Sequence, residues 1–114
     1  MNTFDPSTSE YWMLEAFKSL EKAENDTARL FAEKAIEINN QNIDAHFLLL
    51  TSLIKEIDNP SIYQLETNLE KSRNELKFLR NKEDNGELDE KQKIKLKELS
   101  KEQYDFLEYA NRYI

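Results

Sequence analysis

IYQLETNLEKSRNELKFL, residues 62–79, and LKELSKEQYDFLEYANRY, residues 96–113, carry the same pattern read in opposite directions. In the first, Ile62, Leu65, Leu69, Ser72, Leu76 and Leu79 step by three and four; in the second, Leu96, Leu99, Gln103, Phe106, Ala110 and Tyr113 do the same. Folded back antiparallel, partner numbers always add to 175: Ile62 meets Tyr113, Leu65 meets Ala110, Leu69 meets Phe106, Leu76 meets Leu99 and Leu79 meets Leu96. The one polar residue in each seam, Ser72 and Gln103, falls in a shared layer. Such a layer costs some stability but penalises a slipped register, which would bury each group without its partner. The pattern predicts a long antiparallel helical hairpin over 60–114, with its tip near 83–88.

The tip lies in NKEDNGELDEKQ, residues 81–92, which holds the only glycine. Asn85, Gly86, Leu88 and Asp89 stand where the twelve-residue loop of an EF-hand has a ligand, its sharp turn, its apolar anchor and another ligand, so the stretch resembles that calcium loop. Asn81, Glu83 and Gln92 depart from it, since Gln92 cannot supply the closing bidentate carboxylate. The reading is a solvated connector with a useful positive-φ glycine and no metal.

One glycine and two prolines leave little turn chemistry for a sheet, and the chain is rich in Leu, Glu and Lys; an all-α fold is expected. With 114 residues it is read as a single domain, 1–114, with repeat-like helices over 7–57 ahead of the hairpin. The first helix is expected over 7–24, with Asp5-Pro6 and the Ser7/Glu10 spacing at its start and Met13, Ala16, Phe17, Leu20 and Ala23 facing inward. The second is expected from Asn25-Asp26 to Ile38, with Leu30, Phe31, Ala35 and Ile38 inward. Asn39 to Asn42 form a turn, and Asn42 caps a third helix to about Ile57. Asp58-Asn59-Pro60 closes that helix and opens the hairpin.

A period of 34 residues aligns Trp12 with His46, Met13 with Phe47, Leu14 with Leu48 and Ala28 with Ile62. ARLFAEKAIEINNQNIDAHFLLL, residues 28–50, resembles the join between two tetratricopeptide repeats through Ala28, Ala35, Asn40, Ala45 and Leu49. It departs from that pattern at Phe31-Ala32, where bulky and small are exchanged, at Asn40, where proline is usual, and at Leu50. The resemblance implies two helix pairs ahead of the hairpin and a concave groove lined by the first helix of each pair. Carried over by position, the partner-binding residues are Met13, Phe17, Asp44, Phe47, Thr51, Ile54 and Lys55. An apolar groove of this kind either receives an amphipathic partner or is filled by the chain itself.

The remaining chemistry is sparse. There is no cysteine, and His46 is the one histidine, read as a packing residue. No catalytic set, phosphate loop, cofactor or metal site is expected, and so no enzyme. The start MNTFDPSTSEYW lacks a signal-peptide pattern and no apolar run spans a bilayer, which makes a cytoplasmic protein without membrane contact the expectation. Residues 1–60 hold 11 acids against 5 bases and residues 61–114 hold 12 against 11, so nucleic acid is not an expected partner. Lys91, Lys93, Lys95 and Lys97 alternate, which on a helix scatters them over opposite sides as a solvated surface. The expected function is a protein-interaction module that binds another protein, an amphipathic helix or a second copy of itself. The alternative is a small acidic inhibitor that blocks a basic nucleic-acid-binding site.

Overall fold

The computed structural model describes residues 5–55 and 62–112, with the backbone alone at 62–64. These residues form five helices and no strand: α1 (Ser9–Glu21), α2 (Asn25–Ile38), α3 (Ile43–Lys55), α4 (Ile62–Asp84) and α5 (Glu90–Asn111). The fold is all-α. Two compact units, Met1–Ser52 and Leu53–Ile114, divide the chain inside α3. The expected break at Asp58-Asn59-Pro60 lies outside the described residues.

α1 starts two residues later than the Ser7/Glu10 spacing predicts. Asp5 closes a tight turn of its own, accepting from the Ser7 amide at 2.9 Å and the Ser7 hydroxyl at 2.7 Å. Those two bonds hold its carboxyl below the usual carboxylate range. Thr8 then caps the helix, its side chain accepting from the Tyr11 amide at 3.3 Å. At the other end the Ala23 amide donates to Leu20 and the Glu24 amide to Ser19, the paired bonds of a Schellman stop. The residue in the left-handed position of that stop is alanine, with φ 59°, so α1 ends at Glu21 rather than near 24.

α1 and α2 pack antiparallel through their small side chains. Ser9, Ala16 and Ser19 of α1 and Ala28, Ala32 and Ala35 of α2 are the buried residues of the pair. Of the residues expected to face inward, Ala16 and Ala35 do so. Phe17, Ala23, Leu30 and Ile38 are exposed, and Met13, Leu20 and Phe31 are half-buried. Size decides the matter: an alanine and serine seam lets two backbones approach closely, and bulky neighbours are displaced to the flanks. Trp12 sits on such a flank, with its ring centroid 5.0 Å from Tyr11 and 5.4 Å from Phe31 and its indole N–H on the Pro6 carbonyl at 2.7 Å.

One hydroxyl ties three elements together. Ser9 Oγ donates to the Ala35 carbonyl at 2.7 Å and accepts from Asn42 Nδ2 at 2.8 Å. Asn42 Oδ1 meanwhile accepts from the Ala45 amide at 3.2 Å, the α3 cap expected of it. Asn39 Oδ1 turns the chain before it by accepting from the Gln41 amide at 3.1 Å.

The second unit contains the hairpin. Leu65, Leu69, Ser72, Leu76 and Leu79 of α4 and Leu96, Leu99, Gln103, Phe106 and Ala110 of α5 are buried, the seam read from the sequence. The side chains of Ile62 and Tyr113 lie outside the described residues. Gln103 Nε2 approaches Ser72 Oγ at 3.5 Å, and that hydroxyl donates to the Leu69 carbonyl at 2.7 Å, so the two polar residues share one layer of the seam.

The tip spans Asn85 to Asp89. Gly86, at φ 73°, donates to Glu83 while Glu87 donates to Lys82, a second Schellman stop. Asp89 and Gln92 then exchange bonds of 2.8 and 2.9 Å in a capping box that opens α5. Among the described residues, no helix is long and apolar enough to cross a membrane.

Two measurements check this account. The Ser9→Ala and Asn42→Ala variants should each lose about 1–2 kcal/mol in urea unfolding, and the double variant about 0.5–1.5 kcal/mol less than their sum. Additive losses would mean that the two groups act separately. At the helix stops, Ala23→Gly should stabilise the chain by about 0.5 kcal/mol and Gly86→Ala destabilise it by about 1 kcal/mol, because only glycine is unstrained at positive φ.

Candidate functional site

The groove residues carried over from the repeat resemblance divide into two sets. On α1, Leu14 is 37% and Phe17 51% exposed, while Met13 and Leu20 are half-buried. At spacings of three and four these side chains form one apolar stripe, with Glu10 about one turn before Met13 and Glu21 directly after Leu20. On α3, Phe47, Thr51 and Ile54 are each 7% exposed, and only Asp44 and Lys55 reach solvent. The Thr51 hydroxyl donates to the Phe47 carbonyl on its own helix at 2.8 Å, which leaves it no hydrogen to offer a ligand. The free chain therefore presents the α1 residues and covers the apolar α3 residues itself.

His46 is buried, as its packing role requires, with Nε2 2.8 Å from the Asn40 carbonyl across the α2–α3 turn. In the EF-hand-like stretch, Asn81 and Glu83 belong to the last turn of α4, and the Asp89 carboxylate caps α5. Among the described residues, no group of three or more His, Asp or Glu side chains is placed to hold a metal ion. No family model, curated protein or solved structure matches the chain.

A second surface emerges only when the hairpin is folded. Arg73, Lys77 and Arg80 lie at i, i+4 and i+7 on α4, and Lys93, Lys97 and Lys101 at i, i+4 and i+8 on α5. A shallow depression of about 380 Å³ lies near the tip end of both rows, lined by Arg80, Glu83, Lys93, Ile94, Leu96, Lys97 and Ser100. Ile94, at its edge, is 60% exposed. Lys93 pairs with Glu90 at 3.4 Å, whereas among the described residues no ion pair engages the other five cations. Like charges one helical turn apart cost roughly 0.2–0.5 kcal/mol per pair, so this face works against the helices' own stability. Tyr104 continues the α5 row with its ring exposed, and its hydrogen bond to Glu108, aided by that carboxylate's charge, raises the phenol above its ordinary range.

The alternation at 91, 93, 95 and 97 hid this surface by joining residues on opposite sides of α5. Steps of four from Lys93 to Lys101, set against Arg80 across the hairpin, would have revealed it.

The burial difference has a direct consequence. Phe47→Ala should cost about 3–4 kcal/mol of unfolding free energy, and Phe17→Ala less than about 0.5 kcal/mol, in matched denaturant titrations. Equal costs would place both rings in the core.

Proposed function

We propose that the chain is a non-enzymatic protein-interaction module whose α1 stripe receives an apolar or amphipathic helix of another protein. The carrying observation is Phe17, a phenylalanine in the middle of a well-formed helix, about half exposed beside the exposed Leu14. Docking a helix there would bury both side chains, each contributing roughly 1.5–3 kcal/mol when fully removed from water. The 34-residue period, the tight α1–α2 pair and its alanine seam support a tetratricopeptide-like reading of this unit. The α3 positions that the resemblance assigns to a groove, Phe47, Thr51 and Ile54, are buried and are left out of the proposed surface. Met13, Leu14 and Phe17 are the contact residues, and Asp44 is the charged α3 position of the same unit that remains accessible.

The buried position of Phe47 moves the decisive variant to Phe17. A charge at Phe47 would unfold the unit before it tested a groove. Leu14→Glu and Phe17→Glu keep the core intact, so both should retain the wild-type circular dichroism and thermal midpoint while losing proteins that wild type captures from a native extract. Identical captured sets with folded variants would overturn the reading. If wild type self-associates in sedimentation at rising concentration and the variants do not, the partner helix is that of a second copy.

A further inference from the structure

We propose that the basic face of the hairpin is a separate docking surface for a short acidic helical segment of a partner protein. Arg73, Lys77 and Arg80 form one row and Lys93, Lys97 and Lys101 the other, and one depression near the tip is lined by Arg80 of the first and by Lys93 and Lys97 of the second. In a chain with 23 acids and 16 bases, acids are plentiful enough to pair these cations, yet five of the six have no ion pair among the described residues. The face is thus left charged and ready for a ligand of opposite sign.

Three features specify that ligand. The rows run for about 12 Å at 1.5 Å per residue, about two helical turns. Acids close both ends: Glu66 and Glu70 lie beyond Arg73, Glu108 beyond Lys101, and Asp84 and Glu90 flank the tip. A nucleic-acid backbone continuing past either end would meet carboxylates, and residues 1–60 add 11 acids against 5 bases, so a short anion fits and a long one is repelled. Leu96 and Ile94 give the depression an apolar lining that phosphates cannot use, and Glu83 adds one carboxylate to that lining toward the tip. A helix with carboxylates one turn apart and a single apolar residue between them satisfies all three. The two arginines can grip carboxylates with paired N–H groups, while the lysines act as point charges. This surface is independent of the α1 stripe, and either can fail without the other.

The probe is a fluorescein-labelled helical peptide of about 12 residues, alanine-based, with glutamates and one leucine on one face. It is titrated into the full chain alongside its glutamine counterpart and a single-stranded DNA of the same charge. The glutamate peptide should bind at low ionic strength, weaken steeply with added salt, and bind more tightly than the other two. Arg80→Glu with Lys97→Glu should weaken it about tenfold or more, and Lys22→Glu with Lys34→Glu, an equal charge change elsewhere, less than about twofold. All four positions are exposed, and circular dichroism confirms that both variants fold. Equal weakening by both pairs of substitutions would show bulk charge alone and overturn the site. Equal binding of the glutamine peptide, or tighter binding of the DNA, would overturn the acidic-helix assignment.

Discussion

A hydroxyl buried between helices must find its partner there, since water is no longer present to serve it. Each unit of this chain turns that requirement into a positioning device. Ser9 has one hydrogen to donate and lone pairs to accept with; it spends them on the Ala35 carbonyl and the Asn42 amide. Ser72 does likewise with the Leu69 carbonyl and Gln103. Among the described residues no buried side-chain polar atom is left unpartnered. Apolar contacts supply most of the folding free energy, but they tolerate sliding. A slipped register would bury these serine hydroxyls away from their partners, a cost that apolar contacts alone do not impose.

The hairpin was legible because its two seams combine a regular spacing with one polar interruption each. Regular spacing predicts helices, and the matched interruptions predict how they pair. The α1–α2 pair was harder to read, since the stripe of large apolar residues looked like the inward face and the small residues looked incidental. Hydrophobicity ranks Phe17 above Ser19, whereas close helix approach ranks them the other way. The α1 start was misplaced for a related reason: Asp5 and Ser7 have the composition of a cap but use it on a turn just outside the helix.

The groove residues reveal a further limit of sequence. Phe17 and Phe47 sit one helical turn apart in the 34-residue frame, yet one is half exposed and the other covered. No local pattern separates them, because burial of Phe47 depends on how much chain surrounds it. The basic face escaped notice for the opposite reason, since its members are individually ordinary lysines and arginines. Only the antiparallel register gathers them. Taken together, the two exposed surfaces differ in kind: the α1 stripe can hold a partner by excluding water, while the basic face can attract one from a distance and release it as salt rises.

The tip of the hairpin bears on how this part of the chain folds. The Schellman stop at Gly86 and the capping box at Asp89 and Gln92 involve residues only a few positions apart, so they can form before any distant contact exists. From there the sequence separation between facing positions grows steadily away from the tip, and each added layer closes only a slightly longer loop than the one before. The Ser72 and Gln103 layer lies midway along this path. A chain that zips from the tip in the wrong register is checked there, before the outer layers at Leu65 and Ala110 are committed. The penalty for a wrong register thus falls inside the hairpin, at the Ser72 and Gln103 layer, rather than at its open end.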